Sequence, residues 1–422
     1  MGSDITLSLA GPQDARGIRE VFDDGGFGGG GFGGGISVKF CREPDPYRSF
    51  QNDGDLVVMP VAKDAGTGGV VGVGCCVVRR GHVNGALRNT GYLAGLKILR
   101  SHQRRVRQII PAYRLIAERT APLEPFYYTT ILESNEAAMK LLEKRRRGMP
   151  RYVRLGGYTV FCYGTGGKAG GGGAGGYMFE RGHSEAVAEF YARNLPGYNL
   201  SPKDEWLHGL GAGDFFSLRR SPGGEVLAAC ALWDQQAYKQ YVVTGYGGIY
   251  KALSRMPTRL LGYPQMPRAG TPANYVSIAA LVVPEANLDV AGLFLRLALR
   301  EAGRYGFAML GLFENHPLAE AARTIRHVKY RSWVYAVEYE GGVVATPHAD
   351  VDGKAAPHTE DGVVATPPKD VDGMAPPHME DGVMAPPHTA VDGMAPLHKA
   401  VIHGSGAGGL DGRPVMLEVG LL

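Results

Sequence analysis

One stretch of the chain, Gly91–Arg147, alternates between strand-like and helix-like patterns. The apolar run GYLAGLKIL leads into a basic segment and then into a pattern with helical spacing. A second apolar run, PFYYTTIL, leads into SNEAAMKLLEKRRRG, where Ser134 or Asn135 is positioned to cap a second helix. Strands that alternate with helices in this way are typical of an α/β fold. This stretch therefore restricts the possible folds of the chain more than any other feature of the sequence does.

The segment between the first strand and its helix is rich in cations. Because proline is tolerated only in the first turn of a helix, Pro111 predicts that the helix begins close to Arg107. The turn then combines free backbone N–H groups, the positive end of a helix dipole and several cations, a combination that suits a pyrophosphate. A solvated basic turn is the alternative on local sequence alone. The residues concerned are Gln103, Arg104, Arg105, Val106, Arg107 and Gln108.

These units resemble the cofactor half of the GNAT superfamily of N-acyltransferases. In that family a (Gln/Arg)-x-x-Gly-x-(Gly/Ala) turn holds the CoA pyrophosphate, and an Asn-x-x-Ala signature opens a later helix. Residues 103–108 occupy the turn here, and the run Asn135–Ala138 matches the signature. The resemblance covers about residues 5–163. It implies that acetyl-CoA or another acyl-CoA is the co-substrate, held by backbone groups near Ile98 and the 103–108 turn, with Asn135 at the pantetheine arm.

The chain departs from the family pattern at several functional positions. Val106 and Gln108 stand where the family has small residues. Charge-assisted bonds from the neighbouring cations can offset this change, and weakened cofactor binding is the alternative. Leu142 stands where many members have a tyrosine that protonates the leaving thiolate. Glu133, between the second strand and its helix, is the nearest carboxylate for a general base. A carboxylate that stabilises the start of the helix is the alternative interpretation of Glu133.

Glycine-rich and repetitive segments divide the chain. We expect residues 1–163 to form a GNAT-like acyl-CoA-binding domain and residues 177–340 to form a second, degenerate one. The intervening 164–176, GTGGKAGGGGAGG, predicts a flexible linker. Residues 341–409 carry low-complexity repeats of Pro, Gly, Asp and His and predict a disordered insert. Residues 410–422 predict a strand that completes the second domain.

The second half repeats the order of elements without the phosphate chemistry. A strand at Tyr275–Val283 precedes a turn and a helix, but the turn contains Glu285 and Asp289. Acids repel a phosphate, so we assign this half no cofactor. We expect the strand at Ser332–Tyr339 to pair with the strand at 410–422. The predicted fold class is α/β, with two tandem GNAT-like mixed β-sheets, flanking helices and a repeat insert.

Composition excludes several classes of function. Lys+Arg 45 against Asp+Glu 41 leaves a formal charge of only +4, which does not indicate a nucleic-acid partner. No apolar run reaches the roughly 18 residues that span a membrane. The five cysteines show no CxxC spacing, which favours a cytoplasmic protein. Half of the histidines lie in the repeats at the repeat spacing, so we predict no metal site.

The leading hypothesis is therefore transfer of an acyl group, from acetyl-CoA or a related acyl-CoA, to a primary amine. The acceptor is an amine-bearing small molecule or a protein. The alternative is a catalytically silent GNAT-fold binding or regulatory protein, which the departures at Val106, Gln108 and Leu142 favour. A third hypothesis makes the repeat insert the functional part, as a tether that binds partners through many weak contacts, although it offers no anchor residue.

Overall fold

The computed structural model describes residues 5–24, 35–102, 109–166, 176–284, 287–339 and 409–421. The first half follows the predicted order of strands and helices. Its elements are β1 (Ile5–Leu9), α1 (Ala15–Asp23), β2 (Ile36–Cys41), α2 (Pro46–Gln51), β3 (Leu56–Val58), β4 (Pro60–Asp64), β5 (Val70–Val83), β6 (Ala86–Ile98), α3 (Ile109–Thr120), β7 (Phe126–Leu132), α4 (Glu136–Leu142) and β8 (Arg151–Gly164).

The second half repeats much of this order. Its elements are β9 (Met178–Arg181), α5 (Glu185–Asn194), β10 (Phe215–Arg219), β11 (Val226–Trp233), β12 (Gln240–Tyr246), α6 (Gly248–Leu253), β13 (Tyr275–Val282), α7 (Leu288–Glu301), β14 (Phe307–Phe313), α8 (Ala319–Arg323) and β15 (His327–Glu338). Side chains of Ser184 and Asn287 cap α5 and α7 by accepting bonds from backbone N–H groups of the first turn, as expected for these residue types.

Both halves share one mixed sheet. Its order is β1-β4-β5-β6-β7-β15-β8-β14-β13-β11-β10-β9, and β3 pairs with β5 off this path. Two pairs are parallel, β6 with β7 and β13 with β14, and the other pairs in this path are antiparallel. The final strand of each half lies beside the parallel pair of the other half, because β15 pairs with β7 and β8 pairs with β14. Mixed sheet and flanking helices confirm the predicted fold class.

Two apolar layers cover the sheet of the first half. On one face, α3 and α4 pack on a cluster that includes Cys76, Leu93 and Tyr335. On the other face, α1 and α2 contribute to a cluster that extends under both halves. We call this second side the inner face. A separate two-stranded ribbon, β2 with β12, joins the halves across the inner face.

The prediction of a strand at residues 410–422 is wrong. Residues 409–421 form one isolated bridge, between Val415 and Asn199, and then a 3-10 turn at Val419–Leu421. Pairing with Ser332–Tyr339 is excluded because both edges of β15 are taken. Ala336, for example, pairs with Tyr128 of β7 on one side and with Val153 of β8 on the other.

The end of α4 also differs from the prediction. In the run SNEAAMKLLEKRRRG, Gly148 predicts a helix that continues through Lys144–Arg147, but α4 ends at Leu142. Glu143 accepts bonds from Tyr335 and Arg154, which tie the helix end to β15 and β8. Met149 then packs in the core beneath the helices. The cations of this segment therefore lie outside the helix.

Candidate active site

The parallel strands β6 and β7 separate shortly after they meet. They pair only where Thr90–Tyr92 lies beside Phe126–Tyr128, although both strands continue beyond this ladder. A bulge in β6 accompanies the separation: the register against β5 shifts, and Gly95 adopts a φ of +63°. Glycine is favoured there because left-handed backbone disfavours a Cβ, and a Cβ would lie 3.1 Å from Phe50. We call the opening between the ends of β6 and β7 the first slot.

Hydroxyl groups lie at the base of the first slot. Thr129 Oγ1 donates to the Leu93 carbonyl oxygen at 2.6 Å, and Tyr92 Oη lies 2.8 Å from Thr130 Oγ1. Burial raises the pKa of Tyr92 well above its usual range, so its hydroxyl stays protonated at neutral pH. A protonated hydroxyl in a buried setting can donate a hydrogen bond to charge that develops during a reaction. Sequence reasoning missed these residues, although the polar pair TT inside the strand FYYTTIL was the available signal.

Arg79 lies on the inner face next to the slot. Its Nη2 donates to Tyr128 Oη at 2.6 Å, and its Nη1 is buried with no hydrogen-bond partner among the described residues. A buried guanidinium N–H without a partner costs free energy unless a ligand or water satisfies it. The inner side of the slot thus carries a positive charge with a free donor.

The predicted cofactor residues divide between described and undescribed parts of the chain. Ile98 ends β6, where it pairs with Gly72 and packs on the α3 side of the sheet. Asn135 lies shortly after β7, which ends at Leu132, and caps α4, with Oδ1 accepting from the Ala138 N–H at 3.2 Å. Both therefore lie at the open end of the first slot. Gln103, Arg104, Arg105, Val106, Arg107 and Gln108 lie outside the described residues and connect β6 to α3.

Glu133 and Leu142 have structural partners that the sequence did not reveal. Glu133 is exposed, and its carboxylate lies 3.6 Å from Arg331 Nη1. Arg331 also binds Glu314 at 2.8 Å, so the two acids share one cation. Leu142 is buried in the core beneath α3 and α4. Leu142, at the position where many GNAT enzymes have a tyrosine, therefore serves to pack the core.

The second parallel pair has the same geometry. β13 and β14 pair only where Tyr275–Ser277 lies beside Phe307–Met309. The register of β11 against β13 shifts nearby, and Ala280 adopts a φ of +48°. We call the opening between these strands the second slot.

Residues 417–420 of the chain fill the second slot. The Ala280 N–H donates to Glu418 Oε1 at 2.9 Å, and Tyr158 Oη donates to the Leu417 carbonyl oxygen at 2.7 Å. The turn that begins at Val419 contacts both β13 and β14. Burial raises the pKa of Glu418 to about 7. The chain itself therefore occupies the second slot, whereas no segment of the described residues is bonded in the corresponding position of the first slot.

A buried ionic cluster holds this segment to the first half. Asp53 binds Arg42 at 2.7 Å and Lys239 at 2.8 Å, and Lys239 also donates to the Gly420 carbonyl oxygen. Burial lowers the pKa of Lys239 to about 8. Burial alone would raise the pKa of Asp53, but the two cations outweigh it and lower that pKa. These groups are structural, because every charge has a partner.

Among the described residues, no helix is long and apolar enough to cross a membrane. Within the same ranges, no cluster of three or more His, Cys, Asp or Glu side chains has the arrangement of a metal site.

Comparison with known proteins adds information on the fold. No family model and no curated protein matches the sequence. Among solved structures, a GCN5-related glucosamine N-acetyltransferase region in a fungal multi-domain beta-N-acetylglucosaminidase is similar with a TM-score of 0.51 and 14% identity. The match covers 79% of this chain and 38% of that longer protein.

The chain has the GNAT fold. Two other solved structures are similar at lower scores. Saccharomyces cerevisiae N-myristoyltransferase with bound myristoyl-CoA gives a TM-score of 0.49 at 8% identity, over 80% of each chain. A GCN5-related N-acetyltransferase from Sphaerobacter thermophilus gives 0.44 at 11% identity, over 79% of this chain and 95% of that one.

Proposed function

We propose that the chain is an acyl-CoA-dependent N-acyltransferase that uses the first slot. The observation that carries the proposal is the separation of β6 from β7 at the Gly95 bulge, followed later in the sequence by the basic segment that precedes α3. A strand end, a helix start and cations together suit the pyrophosphate of CoA. The GNAT fold supports this proposal, and the proposed acceptor is an amine on a small molecule or a protein.

Each group of residues has a proposed task. Acyl-CoA supplies the acyl group as an activated thioester. The cations of segment 103–108 bind its phosphates, backbone groups near Ile98 and the side chain of Asn135 orient the pantetheine arm, and the slot excludes water from the thioester. The protonated Tyr92–Thr130 pair donates a hydrogen bond to charge that develops at the reacting centre. Glu133 receives the proton of the amine directly or through a water.

We propose no cofactor for the second half. Residues 417–420 occupy the second slot, and the Ala280 N–H at its bulge is already bonded to Glu418. The acids Glu285 and Asp289, one of which lies outside the described residues, add charge repulsion against a phosphate. One acyl-CoA per chain is therefore the expected stoichiometry.

Calorimetric titration of acetyl-CoA into the purified full chain tests the proposal. We expect binding that Arg105→Glu abolishes and Arg88→Glu leaves unchanged. Arg88 is an exposed arginine at the opposite end of β6, so it makes the same charge change away from the slot. Equal losses in both variants would show a general charge effect, and no heat with acetyl-CoA, longer acyl-CoAs or CoA would contradict the proposal.

The second candidate function is a silent GNAT-fold protein that binds CoA without turnover. The buried Leu142 at the family's acid position favours it. The release of free CoA thiol with a panel of amines distinguishes the two functions. If the chain is an enzyme, Glu133→Gln should lower kcat by at least tenfold, whereas Glu314→Gln, which removes the other acid bound to Arg331, should not. The silent alternative predicts binding with no thiol release in any variant.

A further inference from the structure

One exposed segment between β12 and β13 combines apolar and cationic side chains. We call residues 248–263, GIYKALSRMPTRLLGY, the amphiphilic segment. Of the 11 large apolar side chains that are exposed in the described part of the chain, five lie in this segment, and Leu260 at 84% and Ile249 at 71% are the most exposed of all. The five are Ile249, Met256, Leu260, Leu261 and Tyr263. Such a concentration of exposed apolar side chains marks an interaction surface.

Hydrogen bonds to the surrounding structure hold the amphiphilic segment in its exposed position. Thr258 is buried, and its Oγ1 donates to the Pro264 carbonyl oxygen at 2.7 Å. Arg259 Nε donates to the Thr165 carbonyl oxygen at 2.8 Å, which ties the segment to the end of β8. The exposed apolar side chains therefore belong to a segment that is bonded to the rest of the fold.

The charge around the amphiphilic segment is positive and has no offsetting acid nearby in the sequence. No Asp or Glu occurs between residues 235 and 284. The exposed cations of this stretch are Lys251, Arg255, Arg259 and Arg268. Arg326, just before β15, is also exposed and donates to the backbone of the segment at 2.7 Å. Within the described ranges none of these five side chains forms an ion pair, so their charge is available to an anionic partner.

We propose that the amphiphilic segment binds the surface of a membrane that contains anionic phospholipids. The apolar side chains enter the boundary between headgroups and hydrocarbon, and the cations bind the anionic headgroups above it. A bilayer offers these two partners in adjacent layers. The phosphate backbone of a nucleic acid matches the cations, but it offers no hydrocarbon layer to Ile249 and Leu260. The proposal goes beyond acyl transfer and does not depend on it.

Cosedimentation of the full chain with phospholipid vesicles tests the proposal. We expect binding to phosphatidylcholine vesicles with about 30% phosphatidylserine, and binding at least about tenfold weaker to phosphatidylcholine alone. High salt should weaken binding to the anionic vesicles, because the Debye length falls to about 3 Å at about 1 M salt. Equal binding to both kinds of vesicle, or binding to neither, would overturn the proposal.

Paired variants test whether both kinds of side chain in the segment take part. Ile249→Ser with Leu260→Ser removes the two most exposed apolar side chains, and Lys251→Ala with Arg255→Ala removes two unpaired cations. Each pair should lower the affinity for anionic vesicles at least about tenfold. Because all four side chains are exposed, thermal unfolding should be unchanged. Unchanged vesicle affinity in either pair would overturn the proposal.

The control changes the same residue types elsewhere. Leu87→Ser with Arg88→Ala alters an exposed leucine and an exposed arginine at the start of β6, and it should leave vesicle binding unchanged. An equal loss in this control would show a general effect of charge and hydropathy and would overturn the proposal. A second copy of the chain as the partner predicts a dimer that Ile249→Ser with Leu260→Ser dissociates and no binding to vesicles, which would also overturn it.

Discussion

The two slots of the molecule share a backbone design and differ in what fills them. Each lies between parallel strands that separate after three residue pairs, next to a residue with positive φ. The first residue is Gly95, beside an opening where no segment of the described residues is bonded as residues 417–420 are in the second slot. The second is Ala280, whose N–H is bonded to Glu418 from the chain itself. The comparison shows that a separated strand pair can bind a segment of its own chain, as the second slot does, and the proposed function gives the first slot a ligand instead.

The largest expected effect comes from removing the segment that fills the second slot. A chain that stops after Met416 loses the buried side chains of Leu417 and Val419 and leaves donors on Tyr158 and Ala280 without partners. Each buried side chain contributes about 1.5–3 kcal/mol, and each unpaired donor costs about 1–3 kcal/mol. The free energy of unfolding should therefore fall by at least about 5 kcal/mol. Urea unfolding of the purified chain measures it. Unchanged stability would show that the second slot does not need its occupant.

The next prediction concerns how the stability of the filled second slot depends on pH. The folded chain raises the pKa of Glu418 to about 7 from the ordinary value of 4.5. Because the folded state favours the protonated form, this stabilisation is complete below pH 4.5 and is lost as pH rises through 7. The difference corresponds to about 3 kcal/mol.

Substitution of Glu418 by Gln tests that dependence, because Gln keeps an acceptor for the Ala280 N–H and cannot ionise. We expect the unfolding free energy of Glu418→Gln, relative to the unmodified chain, to rise by about 3 kcal/mol between pH 4.5 and pH 8. Urea unfolding across this range provides the measurement. A constant difference would contradict burial of the carboxylate in the second slot.

The smallest expected effect compares the two bulges directly. Gly95→Ala places a Cβ in left-handed backbone and 3.1 Å from Phe50, so it should destabilise the chain by about 1–3 kcal/mol. Ala280→Gly relieves the corresponding strain, but glycine loses more conformational entropy on folding than alanine does. Because the two effects oppose each other, the change in stability should stay within about 1 kcal/mol. Thermal unfolding of both variants measures the contrast. Equal effects of the two substitutions would contradict the expected contrast between the two bulges.

Local patterns predicted most of the elements of the fold. The strand and cap of PFYYTTILESN became β7 and the Asn135 cap, and Pro111 lies in the first turn of α3. These features depend on neighbouring residues and are therefore visible in the sequence. The pairing of β2 with β12 joins residues 36–41 to 240–246, and no periodicity encodes a contact of such separation.

The site was predictable only in part for the same reason. Asn135 and Ile98 lie at the open end of the first slot, as their order in the chain suggested. The Tyr92–Thr130 contact joins two different strands, and the bond between Glu418 and Ala280 joins segments far apart in the sequence. Local patterns could therefore not predict either contact. The alternation in VMLEVGLL reads as a strand, but the saturated edges of β15 leave it no partner, so tertiary structure overrides the pattern.

The placement of β15 beside β7 has a consequence for the order of assembly during synthesis. The ribosome delivers the first half well before β15 emerges, so β7 has an unsatisfied edge during that interval. An exposed edge recruits other strands, including those of nascent neighbours. Completion of the first half therefore waits for the translation of the second, and the two halves are a single unit of biosynthesis as well as of structure.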